Sequence, residues 1–265
     1  MNPNKTAIVT GSATGVGAAT ALQLAQRGWN VCINYSKSEQ EARESESRCR
    51  EAGAGTLLVQ ADVSDDAACK RLVDATVAQW GRLDALVNNA GVTTFVGTDN
   101  WDALDAAAFT RILGVNVLGC FQMVRAAVPY LKASGDGVIV NVSSVAGTQG
   151  SGSSVPYCAS KGGINSMTLH FARVLAPSIR VNAVCPGMIT TRWFVDGMGQ
   201  EAYDKLKANY EKTIPLGRPS SPEDVADAIL WLVGARTVTG ELVQLDSGMH
   251  LGPPRGIPRG IPDSR

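Results

Sequence analysis

The sequence predicts an α/β protein built on an open parallel sheet of about seven strands, with helices on both faces. Short β-branched runs alternate with amphipathic stretches of about 12–20 residues, which is the pattern of βαβ units. The short runs are apolar at successive positions, as expected for strands that helices cover on both sides. Right-handed crossovers between such strands give a doubly wound sheet.

The predicted elements follow one another with no linker before about residue 252, which indicates a single domain over residues 1–252. Each strand is a short apolar run, and each helix is a longer stretch bounded by polar or glycine residues. Helices are expected at Gly15–Arg27, Ser38–Ala52, Asp65–Trp80 and Tyr157–Ala176. Strands are expected at Lys5–Thr10, Val31–Asn34, Thr56–Gln60, Ala85–Asn88, Val138–Ser143, Ile179–Val184 and Leu242–Leu245.

Two segments depart from this alternation. Residues 188–214 carry several aromatic side chains, Trp193 and Phe194 among them, before Pro215, which suggests a lid over a ligand site. The tail 253–265 holds 4 of the 12 prolines, a density that excludes a helix or a central strand. The tail is either a flexible end or an extended segment that lies on a neighbouring subunit.

The composition excludes several classes of protein. The chain has 265 residues, and 45% of them are hydrophobic, so it is neither disordered nor fibrous. Basic and acidic residues number 24 each, which leaves no bulk field for nucleic acid or an anionic membrane. No apolar run approaches the roughly 18 residues of a membrane span, and the N-terminus has no signal-peptide core. We therefore expect a cytoplasmic protein.

The six cysteines include no CxxC pair, and two histidines cannot complete a usual zinc set. No metal site is therefore predicted. We expect the cysteines to be buried or half-buried free thiols in a reducing compartment.

A glycine-rich loop, residues 10–17 (TGSATGVG), joins the first strand to the first helix. Glycines at this junction let the backbone approach a diphosphate, and the helix N-terminus supplies free N–H groups and a positive dipole. A glycine-rich turn without a ligand is the alternative. The placement between strand and helix favours a dinucleotide site in a Rossmann-type fold. The candidate contacts are Gly11, Ser12, Thr14, Gly15, Val16 and Gly17.

The pattern Tyr-x-x-x-Lys occurs twice in the chain. Tyr157 and Lys161 share one face of a weakly charged helix. A nearby ammonium group favours phenolate and lowers a tyrosine pKa that is ~10 unperturbed, so Tyr157 could act as general acid in reduction and general base in oxidation. Tyr203 and Lys207 lie in a charged stretch and are expected on the solvated face of a helix.

Four motifs in this order resemble those of the short-chain dehydrogenase/reductase superfamily. They are the glycine-rich loop, residues 88–91 (NNAG), residues 157–161 (YCASK) and Pro186-Gly187. The resemblance covers residues 5–252 and is strongest to the 3-oxoacyl-[acyl-carrier-protein] reductase and glucose dehydrogenase branch. It implies an NAD(P)(H)-dependent oxidoreductase and a homotetramer built on the helices around Val117–Leu131 and Tyr157–Ala176.

The resemblance also implies a catalytic set of Asn116, Ser144, Tyr157 and Lys161. Ser144 precedes Tyr157 by 13 residues and would bind the substrate oxygen, where a hydroxyl stabilises developing negative charge; the adjacent Ser143 is the alternative. Lys161 would hydrogen-bond the nicotinamide ribose, and the oxidised nicotinamide would lower the tyrosine pKa further. Asn116 would order a water for proton relay, although it could equally be an ordinary polar helix residue.

Further cofactor contacts are implied at the ends of other strands. The third strand leads to an aspartate that matches the family's adenine neighbour, whereas Asn88 is expected to brace the sheet. The sixth strand leads to a P-G-x-I-x-T loop that contacts the carboxamide in the family. The residues concerned are Asp62, Val63, Asn89, Ala90, Gly91, Tyr157, Lys161, Pro186, Gly187, Ile189 and Thr191.

The end of the second strand bears on the choice of cofactor, because an acid there would bind the adenine ribose of NAD. Residues Asn34, Tyr35, Ser36 and Lys37 stand there, and no carboxylate appears before Glu39. Serine and lysine suit a 2′-phosphate better than a carboxylate would, so NADP(H) is predicted as the preferred cofactor. The glycine-rich loop lacks a basic residue, so NAD(H) stays possible, and Lys37 could be a plain solvated lysine.

The substrate is predicted to be a neutral, partly apolar carbonyl compound or secondary alcohol. The expected walls are residues 93–95, residues 147–155 and the lid, and Trp193 and Phe194 either face the substrate or pack the lid. The predicted reaction is reduction of a 3-oxoacyl-type or other ketone with Tyr157 as proton donor. The alternatives are a sugar or polyol dehydrogenase and a non-catalytic dinucleotide sensor or scaffold.

Overall fold

A parallel sheet of seven strands forms the centre of the computed structural model, which describes residues 4–97 and 100–253. The strand order is β3-β2-β1-β4-β5-β6-β7, and each neighbouring pair is parallel. The predicted α/β class and strand number are confirmed. The order reverses between β1 and β4, which is where such sheets bind ligands at their carboxyl edge. The strands are β1 (Thr6–Val9), β2 (Asn30–Tyr35), β3 (Thr56–Gln60), β4 (Ala85–Asn88), β5 (Gly137–Val142), β6 (Ile179–Pro186) and β7 (Leu242–Leu245).

The observed strand ends differ from the predicted ones by no more than two residues. The largest extension is at β6, which continues past Val184 because Cys185 and Pro186 still pair with β7. The Pro186 carbonyl also accepts a hydrogen bond from the Val145 amide. An apolar run alone does not reveal this pairing, because a proline normally signals the end of a strand.

Helices cover both faces of the sheet, as predicted. One buried cluster joins α1, α2 and α10 to one face, and a second joins α3, α5 and α7 to the other. The helices are α1 (Gly15–Gln26), α2 (Glu39–Glu51), α3 (Asp66–Trp80), α4 (Ala106–Leu113), α5 (Cys120–Ala133), α6 (Ala146–Gln149), α7 (Val155–Leu175), α8 (Arg192–Met198), α9 (Gln200–Thr213) and α10 (Pro222–Gly234).

A π-helical segment, Gly114–Gly119, joins α4 to α5. It approaches the end of β3 so closely that a Cβ on Gly119 would lie 2.7 Å from Cγ2 of Val63. A π turn adds a residue to the helical repeat and often marks a functional site. Here it carries Asn116 with its side chain buried.

Polar side chains brace the middle of the sheet. The amide of Asn88 donates to Oδ1 of Asn141 at 2.9 Å, and the Asn141 amide donates to Oγ1 of Thr168 on α7 at 2.9 Å. The prediction that Asn88 braces the sheet is therefore confirmed. The chain of hydrogen bonds ties α7 to β4 and β5.

The cysteines are unpaired, as predicted: five are buried and Cys158 is half-buried. The described residues contain no cluster of three His, Cys, Asp or Glu side chains suited to a metal ion. Among the described residues, one helical stretch, Ala106–Ala133, is long and apolar enough to cross a membrane by length and composition alone, and 44% of its most apolar window is buried in the fold. Of the predicted tail, residues 254–265 lie outside the described residues.

Candidate active site

The glycine-rich loop forms a cradle at the N-terminus of α1. A Cβ on Gly17 would lie 2.4 Å from the Gly11 carbonyl oxygen, and a Cβ on Gly11 would lie 3.0 Å from Cα of Ala90. Gly11 and Gly15 both have positive φ, 62° and 57°. A side chain at Gly17 would therefore fill the turn that brings the loop backbone to the helix N-terminus. This backbone arrangement fits a diphosphate.

Side chains from β1 and β4 hold the cradle in place. The hydroxyl of Thr10 accepts hydrogen bonds from the amides of Asn89 and Ala90, each at 3.0 Å. The side-chain amide of Asn89 (Nδ2) donates to the carbonyls of Thr10 and Gly11 at 2.9 and 3.0 Å. The Asn89 side chain thus supports the loop from behind. Thr10 was not among the predicted contacts, although its position directly before the first glycine of the loop could have indicated a role.

Asn34 also stabilises the cradle through hydrogen bonds within the protein. It is 2% exposed, its Oδ1 accepts from the Gly11 amide at 3.1 Å, and its Nδ2 donates to the carbonyl of Ala61 at 3.0 Å. Ser12 lies beside it and is fully buried, with its hydroxyl donating to Val9 O at 2.7 Å. The side chains of these two predicted contacts are occupied by the backbone. Their role in the structure is to fix β1, β2 and β3 relative to the loop.

The exposed residues past β2 are Ser36 and Lys37, whereas Tyr35 is buried. The Ser36 carbonyl accepts a hydrogen bond from Gln60 at the end of β3 at 3.0 Å. Beyond β3, Asp62 is exposed and its Oδ1 accepts from the amide and hydroxyl of Ser64 at 2.9 and 2.7 Å. The predicted contacts at the ends of β2 and β3 are therefore brought to one edge of the sheet.

Tyr157 and Ser144 lie together at the carboxyl edge. The Ser144 side chain is close enough to the Tyr157 phenol to oppose the rise in its pKa. Its hydroxyl donates to the Pro186 carbonyl at 3.4 Å and accepts from the Ala146 amide at 3.1 Å. Ser143 is buried instead, and its hydroxyl donates to Oδ1 of Asn165 at 2.6 Å. Of the two serines considered, the geometry favours Ser144, because its hydroxyl is the one beside the phenol.

Lys161 occupies a buried position one turn along α7. Its Nζ donates to the carbonyl oxygen of Val142 at 2.8 Å and lies 5.5 Å from the centre of the Tyr157 ring. A Cβ on Gly91 would lie 3.8 Å from the same Nζ. The end of β5 and the loop after β4 therefore hold the ammonium group over the face of the Tyr157 ring.

Burial dominates the ionisation of this pair. It raises the pKa of Tyr157 to about 12, against the opposing hydrogen bond with Ser144. It also lowers the pKa of Lys161 to about 8. The prediction that Lys161 lowers the pKa of Tyr157 is therefore wrong for the protein without cofactor. The physical reason is that both charged forms lose solvation, and the ammonium group bonds to Val142.

Asn116 connects the π segment to the site. Its Oδ1 accepts from the Val92 amide at 2.8 Å, and its Nδ2 donates to the Val92 carbonyl at 3.0 Å and the Ser160 hydroxyl at 2.9 Å. It is 1% exposed. It therefore joins the loop after β4 to α7, a role that a polar residue on an ordinary helix face would not have.

The loop after β6 extends from the sheet to the glycine-rich loop. A Cβ on Gly187 would lie 2.4 Å from the Tyr210 hydroxyl, which donates to the carbonyl of Asp246 at 3.2 Å. Ile189 pairs with Ser220 in an isolated parallel bridge. Thr191 then comes to the glycine-rich loop, with its Cγ2 3.6 Å from the Cβ position of Gly15. Thr191 is thus brought to the cradle, and Pro186, Gly187 and Ile189 lead up to it along the chain.

Trp193 and Phe194, two of the aromatic residues in the predicted lid, make different contacts. The ring of Phe194 packs on Phe95 at 5.7 Å and on Tyr203 at 6.4 Å, so it packs the lid. Trp193 is 37% exposed, and its ring centre is 6.5 Å from that of Tyr157. Tyr203 was expected on a solvated helix face. That prediction is wrong, because Tyr203 packs against the buried cluster of Met188, Tyr210 and Ile214.

Two of the segments expected to line the substrate site, residues 93–95 and 147–155, are linked by hydrogen bonds. The hydroxyls of Thr93 and Ser153 are 2.6 Å apart, and the Val96 amide donates to the Ser153 carbonyl at 3.0 Å. A Cβ on Gly197 of the lid would lie 2.1 Å from the Phe95 ring. This close contact between the lid and the loop after β4 was not predicted. Gly197 and Phe95 lie about a hundred residues apart, and no local sequence pattern pairs them.

The chain is similar to known proteins over most of its length. Residues 11–250 match the family model described as Enoyl-(Acyl carrier protein) reductase. The chain is 41% identical to the Streptomyces violaceoruber protein named "Granaticin polyketide synthase putative ketoacyl reductase 2" over 92% of this chain and 96% of that one. It is 34% identical to the 3-oxoacyl-[acyl-carrier-protein] reductase FabG of Staphylococcus aureus, over 95% of this chain and 100% of that one.

Two solved structures are similar to the whole described fold. A protein from Burkholderia xenovorans, titled a putative short-chain dehydrogenase/reductase, has a TM-score of 0.87 and 41% identity, and the match covers 95% of this chain and 100% of that one. Carveol dehydrogenase from Mycobacterium avium, in complex with NAD, has a TM-score of 0.86 and 28% identity, covering 94% and 99%.

Proposed function

Because the chain belongs to the short-chain dehydrogenase/reductase family, we propose that it is an NADP(H)-dependent reductase of 3-oxoacyl-type or related ketones. Family membership makes it an oxidoreductase, and the relatives named ketoacyl reductase support the reduction of a carbonyl group. The cofactor preference, the residues of the mechanism and the substrate are our proposal.

One observation carries the mechanism: the Tyr157 phenol and the Ser144 hydroxyl converge at the carboxyl edge of the sheet, beside the glycine cradle. The high pKa of Tyr157 keeps the phenol protonated near neutral pH, the state that a general acid needs for reduction. Ser144 and Tyr157 would both hydrogen-bond the substrate oxygen and stabilise its developing charge.

The cradle fits a dinucleotide because its glycines leave the backbone of residues 11–17 bare at a helix N-terminus. A dinucleotide held there would supply the hydride for the carbonyl carbon. Tyr157 then donates its proton to the oxygen. The buried Lys161 ammonium would hydrogen-bond the nicotinamide ribose, and Asn116, which joins the loop after β4 to α7, would order a water for the proton relay.

We propose NADP(H) as the preferred cofactor and keep NAD(H) as possible. Ser36 and Lys37 are exposed past β2, where a 2′-phosphate would meet a hydroxyl and a cation. Asn34 stands where an acid would bind the ribose of NAD, and its amide is engaged with the backbone. No acidic side chain replaces it at the end of β2 among the described residues.

The substrate site is bordered by apolar and small residues. Trp193 faces the ring of Tyr157 at 6.5 Å, and the opposite wall is made by the joined segments at Thr93 and Ser153. This surface suits a neutral ketone with an apolar portion that stacks on the indole ring.

A second candidate function is alcohol oxidation with NAD. It is favoured by the likeness to a carveol dehydrogenase in complex with NAD and by the absence of a basic residue from the glycine-rich loop. In that direction Tyr157 would act as the general base. A non-catalytic sensor is the remaining alternative, and measurable turnover of any carbonyl or alcohol substrate would exclude it.

We also propose a cytoplasmic homotetramer with one catalytic domain over residues 1–252. The free cysteines suit a reducing compartment. Leu118, Phe121 and Leu169 are 47%, 38% and 48% exposed on the helical segments expected to form the subunit contact, and such apolar exposure is typical of an interface. Light scattering that gave a monomer mass would refute the tetramer.

The proposed function is tested by assaying the reduction of an acetoacetyl thioester and by measuring the Kd for NADPH and for NADH. We expect turnover with both dinucleotides and a preference for NADPH. Lys37→Ala should weaken NADPH binding about two- to fivefold, the effect of one exposed charge pair, and leave NADH unchanged. Lys70→Ala, a lysine on α3 paired with Asp66, is the control. An unchanged NADPH Kd in Lys37→Ala would contradict the assigned 2′-phosphate contact.

A further inference from the structure

The lid is anchored on two sides. On the substrate side, Phe194 and Gly197 pack on Phe95. On the cofactor side, Arg192 at the start of α8 pairs with Glu41 in the first turn of α2, with Nη2 2.9 Å from Oε1. The first anchor is apolar contact, whereas the second is a single ion pair that solvent can reach, since the two side chains are 52% and 33% exposed.

The ion pair stands at the rim of the glycine cradle. Glu41 lines a cleft of about 240 Å³ together with Thr14 and Gly15 of the glycine-rich loop. Thr191, directly before Arg192, lies 3.6 Å from the Cβ position of Gly15. The ion pair between α8 and α2 therefore stands beside Thr14 and Gly15, at the N-terminal end of α1.

We propose that the Arg192–Glu41 ion pair is a latch that holds the lid over the bound dinucleotide and slows its release. The inference rests on the proposed dinucleotide site. Arg192 and Glu41 are positioning residues: they do not touch the reacting atoms, and they act through the lid. Lid opening often limits the turnover of such enzymes, so the latch sets the rate of cofactor exchange.

Within the part of the chain that the structure describes, Arg192 has one further acidic neighbour within 4 Å, Asp196 on its own helix, with Nε 3.8 Å from Oδ2. That contact is longer than a hydrogen bond and joins the lid only to itself. It cannot replace the link to α2, so removing the Glu41 carboxylate breaks the ion pair that joins the lid to α2.

The variants Arg192→Gln and Glu41→Gln separate a latch from a direct charge effect on the cofactor phosphates. If the two charges act directly on the cofactor phosphates, the two variants should change the NADPH release rate in opposite directions. Loss of the arginine would speed release, and loss of the glutamate would slow it. A latch predicts that both variants release NADPH faster, by about two- to fivefold. The double variant should be no faster than either single one, because both remove the same bond.

The experiment measures NADPH release by stopped-flow fluorescence in the full-length protein. Arg43→Gln and Glu39→Gln are matched controls, because this pair lies on the same helix, with Nη2 2.6 Å from Oε1, and does not link α2 to the lid. We expect the controls to release NADPH at the wild-type rate. Opposite effects of the two latch variants, or wild-type rates in both, would overturn the proposal.

A second readout does not need cofactor. Backbone hydrogen exchange of residues 192–213 in the cofactor-free protein should be faster in both latch variants and unchanged in the controls. Unchanged exchange would overturn the latch even if release rates differed. Failure of wild-type protein to bind NADPH would instead overturn the proposed function, and the exchange measurement keeps the two failures apart.

Discussion

At the scale of single residues, the tyrosine–lysine pair shows how burial can reverse an expectation drawn from spacing. The i, i+4 spacing correctly predicted that Tyr157 and Lys161 are neighbours on α7. It could not reveal that the Val142 carbonyl accepts the Lys161 ammonium hydrogen bond, because β5 and α7 are distant in sequence. The cation therefore lies over the face of the ring, and the phenol ionises only at high pH.

Titration of the phenol should report this arrangement. The phenolate is the charged form, so burial raises its pKa, to about 12, and a bound positive nicotinamide should lower it. Ultraviolet absorbance of wild type minus Tyr157→Phe should therefore show no extra phenolate up to about pH 10 without cofactor. With NADP⁺ bound, one phenolate should appear at lower pH. A phenolate below pH 9 in the free protein would contradict the account.

At the scale of elements, the parts of the site differed in how far the sequence predicted them. The glycine cradle and the seven strands follow local patterns, so they were predicted nearly residue by residue. The π segment at Asn116, the support by Thr10 and the contact between Phe95 and Gly197 depend on elements that meet only in the folded chain. No periodicity encodes those contacts.

The cradle itself can be tested by adding one methyl group. Gly17→Ala places a Cβ 2.4 Å from the Gly11 carbonyl oxygen, which the backbone cannot relieve without moving the loop. We expect at least a tenfold loss of dinucleotide affinity and a destabilisation of about 1–3 kcal/mol. The measurements are the Kd for NADPH and thermal unfolding.

Gly234→Ala is the control for this change, because its Cβ would have no atom within 4 Å and alanine favours a helix. It should keep the affinity and should not lower the unfolding temperature. Wild-type NADPH affinity in Gly17→Ala would refute the role given to the cradle.

At the scale of the whole molecule, the fold brings every candidate group to one edge. The strand order reverses between β1 and β4, so the cradle, the end of β5 and the loop after β6 converge there. The lid joins the substrate wall to α2 through Phe95 on one side and Glu41 on the other. The proposed latch would therefore couple cofactor exchange and substrate access through one segment.

The central claim is that Tyr157 transfers the proton, and Tyr157→Phe tests it most directly. Tyr203→Phe is the matched control, because it alters the second tyrosine of the same Tyr-x-x-x-Lys pattern. We predict that Tyr157→Phe loses about 10²- to 10⁴-fold in kcat for ketone reduction while its Kd for NADPH is unchanged, and that Tyr203→Phe keeps wild-type turnover. Full turnover by Tyr157→Phe would contradict the account.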